Sequence, residues 1–232
     1  MTTGNVDMPN EYELVDVSHT IHNGMVTYKG LPPPVISDHL LREQSKEFYA
    51  PGTEFHIGKI EMVANTGTYI DSPFHRYADG ADLAALDLSS LANLDAVVIR
   101  RVDNPEREVS AGALADLDVR GKAVLFHTGW DRHWRTESYS DGTHPFLSAA
   151  AAEHLATEGA ALVGIDSYNI DDTIGKSRPA HSILLRSGIP IVEHLCGLGD
   201  LPDDNFKFFA VPVKVKNFGT FPVRAFAIVP TS

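Results

Sequence analysis

The chain has 232 residues, 43% of them hydrophobic and 22% charged, a composition that suits a folded globular protein and not a disordered one. Its 19 basic and 31 acidic residues give a formal net charge of -12, which argues against nucleic-acid and anionic-membrane partners. The single cysteine, Cys196, excludes an internal disulfide and suits a reducing cytoplasm. A small molecule, or a second copy of the chain, is the expected partner.

The first ten residues, "MTTGNVDMPN", lack the basic start and apolar core of a secretory signal. No apolar run approaches the roughly 18 residues that suggest a membrane span. "YELVDVSHTI" alternates as an opening strand and ends at the turn pair Asn23-Gly24. The three prolines of "YKGLPPPVI" predict an extended arm, and "EFHIGKIEMVA" a strand. "LDAVVIR" and "KAVLFHTGW" are apolar and β-branched, as buried strands are. Between them and the next strand, Ser110 is placed to cap a helix over "AGALADL". "FLSAAAAEHLATEG" is the clearest helix, with Gly159 as its stop. "AALVGID" reads as a buried strand, "HSILLRSG" as a short helix closed by Gly188, and "IPIVEHL" as a returning strand. "FKFFAVPVKV" and "FPVRAFAIVP" read as two long closing strands. The whole is one α/β domain over residues 1–232, too irregular for a simple doubly wound sheet.

The densest chemistry lies in "NTGTYIDSPFH", Asn65 to His75. Asn65-Thr66-Gly67-Thr68 is a turn, because Gly reaches dihedrals closed to other residues. Tyr69 and Asp71 are two apart, so an extended chain points both to one side. Pro73 bends the chain and His75 follows, which gathers a phenol, a carboxylate and an imidazole at one turn. Taken alone, a polar loop whose Asp is satisfied by turn N–H groups explains these residues as well.

A second pair lies far along the chain. His181 opens the "HSILLRSG" helix, which rises about 10 Å, and the strand after Gly188 returns about 16 Å. If Gly188-Ile189-Pro190 reverses the chain, Glu193 comes back towards His181.

At this point the sequence resembles the cyclase family that includes bacterial kynurenine formamidases and isatin hydrolases. That family's signature is H-x-G-T-H-x-D-x-P-x-H, against N-T-G-T-Y-I-D-S-P-F-H here. "DVSHTIHNGMVTY", "HTGWD", "GIDSYNID" and "HSILLRSGIPIVE" are similar too, so the likeness spans nearly the whole chain. The resemblance implies a swivelling β/β/α-type domain with a mixed sheet. It also implies a homo-oligomer, a dimer or tetramer, often with sites near a subunit boundary. In the family, histidines, an Asp and a distant His and Glu surround one or two divalent metals, and the last signature His is the proton carrier. Asp71, His75, His181 and Glu193 match, while Asn65 and Tyr69 stand where two signature histidines belong.

Those two departures disfavour a two-metal site, because an amide is a weak ligand and a phenol must first lose its proton. Asp71, His181 and Glu193 with Asn65 assisting are expected to hold one ion, zinc or manganese, with iron also suited to the donors. Three readings follow. In the first, a hydrolase cleaves a C–N or ester-like bond with a metal-activated water, His75 carrying the proton and Tyr69 stabilising the oxyanion. The second is a metal-free cyclase, dehydratase or isomerase using Tyr69, His75 and Glu193. The third is a non-catalytic small-molecule binding protein.

Other residues read more plainly. His19 and His22 are expected on the surface, and Trp130 and Trp134 as packed neighbours four apart on a helix. Acidic neighbours raise the pKa expected of Cys196, which is read as a small buried side chain. Lys176 and Arg178 precede His181, either as a solvated loop or as a clamp for a substrate carboxylate.

Overall fold

A computed structural model of the chain describes residues 11–231, so the segment "MTTGNVDMPN" lies outside the described residues. In chain order the strands are β1 (Tyr12–Asp16), β2 (Val35–Leu40), β3 (Ile57–Glu61), β4 (Tyr69–Asp71), β5 (Leu94–Arg100), β6 (Glu108–Val109) and β7 (Ala123–His127). They continue with β8 (Phe146–Leu147), β9 (Leu162–Ile165), β10 (Ile191–Glu193), β11 (Phe206–Phe209), β12 (Thr220–Pro222) and β13 (Phe226–Pro230). The α-helices are α1 (Arg42–Ser45), α2 (Ala149–Glu158) and α3 (Pro179–Arg186).

Nine strands form one mixed sheet in the order β1-β13-β11-β5-β7-β9-β10-β4-β12. β5, β7, β9 and β10 run parallel, and the flanking pairs are antiparallel. The ends of this order fix its shape. β12 and β13 stand seven places apart, which in a flat sheet is about 34 Å. Yet the chain crosses from Pro222 to Phe226, a span of at most about 14 Å. The sheet must curl until its two edges meet. Backbone bonds from Val223 N to Thr68 O and from Val17 N to Ala225 O, each 3.0 Å, tie the junction.

Alternation along the central strands feeds two cores. Ala96 and Val98 of β5 and Leu125 of β7 point inside the curl with Phe206 and Phe208. Val97, Ile99, Val124 and Phe126 point the other way, against Leu155 of α2 and Leu184 of α3. Ser148 caps α2 by accepting the Ala151 N–H, and Gly159 ends it in the left-handed region at φ 79°.

The structure departs from the sequence reading in several places. "FKFFAVPVKV" is a strand only over Phe206–Phe209, and the residues after it leave the sheet. "AGALADL" is only a 3₁₀ turn over Ala111–Leu114, and the Ser110 hydroxyl caps nothing. The last predicted strand breaks at Val223–Ala225 into β12 and β13, because its halves belong to opposite edges of the curled sheet. Trp130 and Trp134 do not share a helix: a 3₁₀ turn covers Trp130–His133, and Trp134 follows it in extended backbone. His19 is not a surface side chain. Its ring stacks on Trp134 with centroids 3.9 Å apart, and burial pulls its pKa down to about 4.

Candidate active site

β4 lies between β10 and β12, and its register places the site's side chains. Tyr69 is directly opposite Glu193 on one side, and Asp71 is directly opposite Thr220 on the other. Residues opposite one another in a sheet share a face. Tyr69 and Asp71, two apart, therefore project with Glu193 and Thr220 into the same space. All four are buried, so each polar group needs a partner. Tyr69 Oη donates to Glu193 Oε2 at 2.7 Å, and the Ile170 N–H donates to Glu193 Oε1 at 2.7 Å. The Thr220 hydroxyl donates to Asp71 Oδ1. Asp71 Oδ2 alone is buried without a hydrogen bond.

α3 brings in the imidazole. It opens at Pro179, with His181 two residues inside, so His181 does not start the helix as the sequence suggested. Asp171 accepts the N–H groups of Ala180 and His181, satisfying donors that a helix N-terminus leaves free. The same carboxylate holds His181 Nδ1 at 2.7 Å. Gly188, at φ 77°, turns the chain after α3, and β10 then carries Glu193 back to His181.

The result is a convergent triad. His181 Nε2 lies 3.7 Å from Asp71 Oδ2 and 3.6 Å from Glu193 Oε1, too long for hydrogen bonds. Two donors bound at about 2.1 Å to a tetrahedral ion stand about 3.4 Å apart. The spacing of this triad, its unpartnered Asp71 oxygen and the carboxylate behind the His181 ring all fit one divalent cation.

The crowding of carboxylates makes the site favour positive charge. Burial pulls the His181 imidazole down, but Glu193, Asp171 and Asp71 outweigh it and raise its pKa to about 10. Burial pushes Asp71 up, but the facing His181 and His75 rings and the Thr220 hydroxyl hold it below the usual carboxylate range. Burial and the charge of Asp71 leave Glu193 raised. Burial, then Glu193 and Asp71, lift Tyr69 well above an ordinary phenol, so it stays a proton donor. The nearby Asn65 side chain offsets this only in part.

His75 completes the group from a 3₁₀ turn over Pro73–His75. Its Nδ1 is 2.8 Å from Thr220 Oγ1. The single Thr220 proton is committed to Asp71, so Nδ1 must carry hydrogen and donate to Thr220. In the neutral ring this tautomer leaves Nε2 with a free lone pair, on a side chain 37% exposed. Gly219 permits the approach: a Cβ there would come within 2.6 Å of the His75 backbone.

Behind Tyr69 runs a buried relay of hydrogen bonds. Burial pushes His194 down to about 3, so its ring is neutral. Because Tyr69 donates to Glu193, His194 Nε2–H donates to Tyr69 Oη at 3.3 Å, and the Tyr139 hydroxyl donates to Nδ1 at 2.7 Å. His181, Glu193, His75, Tyr69 and Asn65 line a cavity of about 650 Å³ that also takes in Tyr28, Arg76, Lys176 and Arg178. Cys196 stays apart from it, half-buried, its thiol pushed up to about 12 by burial and nearby carboxylates.

Thr220, Asp171, His194 and Tyr139 escaped the sequence reading. Asp171 stands in "GIDSYNID", but nothing in that stretch ties it to His181. Thr220 meets Asp71 only through register, across 149 positions.

A family model described as a putative cyclase matches residues 15–172. The chain belongs to this putative cyclase family. It is 28% identical over 215 residues to a kynurenine formamidase of Bacillus cytotoxicus, covering 92% of this chain and 96% of the relative. Among solved structures, a potential metal-dependent hydrolase with cyclase activity superposes with a TM-score of 0.76 at 25% identity, over 95% of this chain and 100% of the other. Isatin hydrolase A of Labrenzia aggregata, bound to benzyl benzoate, has a TM-score of 0.80 at 20% identity over 95% of both chains, a likeness of fold. The curled mixed sheet is thus the fold of these cyclase-family neighbours.

Proposed function

We propose that this cyclase-family chain is an enzyme that hydrolyses the C–N bond of a small amide, cyclic amide or ester-like analogue. The observation that carries the reading is the buried triad of Asp71, His181 and Glu193, with its donors 3.6 and 3.7 Å apart around His181 Nε2. Its formamidase relative and metal-dependent hydrolase neighbour support the same chemistry. The triad would hold one zinc or manganese ion, with the Asn65 carbonyl as an assisting ligand. Such an ion supplies Lewis acidity, polarising a carbonyl and making a water more acidic.

The chain's own residues supply the rest. His75 Nε2 takes a proton from the attacking water and returns it to the leaving nitrogen. Thr220 and Asp71 fix the tautomer that makes this possible. Tyr69, kept protonated by burial, donates to Glu193 at rest and would redirect that single proton to an oxyanion as one forms. Asp171 orients His181 from behind.

One observation favours the metal-independent reading: a protonated His181 between Asp71 and Glu193 is already neutralised by their charges. Turnover separates the two. Metal-replete protein should release carboxylate from aryl formamides, lactams or lactones, and His75→Ala should lower kcat about 100-fold or more while ligand still binds. Absence of hydrolysis across that panel with metal present would remove the reading.

We also place the chain in the cytoplasm, supported by its single cysteine. No helix among the described residues is long and apolar enough to cross a membrane. A homo-oligomer is supported by the β2–β3 hairpin, which leaves Val35, Ile36, Ile57 and Ile60 exposed.

A further inference from the structure

One short segment carries much of the site's support. β9 ends at Ile165, and the residues after it, "DSYNID" from Asp166 to Asp171, are all buried. Their polar side chains are spent on the fold, with one exception. Asp166 accepts the N–H groups of Thr128 and Gly129 at 2.8 Å each. Ser167 Oγ donates to the Pro145 carbonyl at 2.6 Å, and Tyr168 Oη accepts the Lys29 N–H at 3.3 Å. The Ile170 N–H goes to Glu193, and the Asp171 carboxylate to the start of α3. A segment tied down at residue after residue presents what it leaves over at a fixed place.

What it leaves over is the amide of Asn169. This side chain lines the cavity together with Tyr69, His181 and Glu193, yet the residue is only 5% exposed. Its Oδ1 accepts the Asp171 N–H at 3.0 Å, an Asx turn. That bond decides which end of the amide is which, because a flipped amide would set one N–H against another. Oδ1 is thus turned to the backbone, and Nδ2 is the end left for the cavity. Among the described residues nothing accepts from Nδ2, although a buried amide donor without a partner costs free energy. Tyr69 does not fill this role at rest, since its one proton goes to Glu193. Turning that proton away strips Glu193 of a hydrogen bond, whereas a bond from Asn169 Nδ2 displaces nothing.

We propose that Asn169 Nδ2 is the standing hydrogen-bond donor to the carbonyl oxygen of the substrate, and that the bond strengthens as this oxygen becomes an oxyanion. A hydrogen bond to an ionised oxygen is roughly twice as strong as one to a neutral carbonyl. That difference is what lowers a barrier, and a fixed donor spends nothing on reorganising. The oxyanion part of this inference rests on the proposed hydrolase function; the carbonyl contact does not.

The contact is read first, by nuclear magnetic resonance on the zinc-loaded full chain carrying isotope-labelled asparagine. The Asn169 side-chain amide signals are identified by their absence in Asn169→Ala. They should move downfield with acetophenone and stay in place with ethylbenzene, which has nearly the same shape without the oxygen. Unmoved signals at the solubility limit of acetophenone would overturn the proposal.

Kinetics then separate a donor from a turn former. Asn169→Asp keeps an oxygen for the Asp171 N–H and loses the donor, while Asn169→Ser keeps both in shorter form. On whichever formamide, lactam or lactone is turned over, Asn169→Asp and Asn169→Ala should each lower kcat about 100-fold, with KM changed less than about threefold. Asn169→Ser should recover part of that loss, and bound zinc should match the wild type in all three. Near-normal kcat in Asn169→Asp with only Asn169→Ala impaired would make Asn169 a turn residue and overturn the assignment. So would a loss of kcat that merely tracks lost zinc. If no compound of the panel is hydrolysed but the amide signals move, the hydrolase reading fails and the carbonyl contact survives.

Discussion

Two strand regions of this molecule treat their side chains in opposite ways. β4, three residues long, is buried at every position, and its two polar side chains are locked by register to Glu193 and Thr220. The β2–β3 hairpin is exposed at nearly every position on both faces. Apolar residues around it, Phe48 at 71% and Phe55 at 52% exposure among them, stay open to solvent. A lone two-stranded ribbon is marginal in water, and a large uncovered apolar patch marks a contact surface. The buried wall is built to hold a few polar atoms to fractions of an ångström. The ribbon is built to be covered, and a second copy of the chain is the occupant we favour.

The strongest way to break the wall is at Asp71. Asp71→Asn keeps the shape but removes a charge facing His181, and kcat should fall about 1,000-fold or more with the fold retained by circular dichroism. Thr220→Val sharpens the point, because it spares every triad member and removes only the hydroxyl between Asp71 and His75. A loss of about 10- to 100-fold in kcat, largely restored in Thr220→Ser, is expected for a residue that orients others. An unchanged kcat in the valine variant would mean that His75 needs no such partner.

The ribbon should respond differently. Phe55→Glu with Ile60→Glu should lower the assembly state seen by light scattering while leaving the thermal midpoint of the subunit within a few degrees. Loss of folding together with assembly would instead make the ribbon part of the subunit's own core.

The smallest expected effect concerns acid. The pKa of His194 is about 3 and that of His19 about 4, both below the unfolded value of 6.5. Below pH 6.5 the unfolded state binds more protons than the folded one, so stability is full above that pH and declines as pH falls. The slope approaches about 1.4 kcal/mol per pH unit for each fully buried ring, and less for the partly open His19. Urea midpoints measured between pH 7 and 4 should show the decline, and His194→Asn should flatten it.

How much of this was legible beforehand follows from the range of each interaction. Tyr69 and Asp71 on one face follow from strand alternation, and Glu193 returning to His181 follows from a short helix, Gly188 and a short strand. These are local facts. The division of "FPVRAFAIVP" into β12 and β13 was hidden, because only closure of the whole sheet sends its halves to different edges. Thr220 was hidden for the same reason. His19 and His194 look like ordinary polar residues in sequence, and their burial depends on Trp134 and Tyr139, brought in from elsewhere in the chain. Ser110 failed in another way: a good capping residue precedes a segment that makes only one 3₁₀ turn.

The central claim is that Asp71, His181 and Glu193 hold one divalent ion. The direct measurement is metal content per subunit by elemental analysis, on protein purified without chelators or an immobilised-metal column. We predict about one equivalent of zinc or manganese in the wild-type chain, lost in Asp71→Ala and in His181→Ala. Less than about a tenth of an equivalent, unchanged after metal is added back, would contradict the claim and leave His181 as a cation paired to two carboxylates.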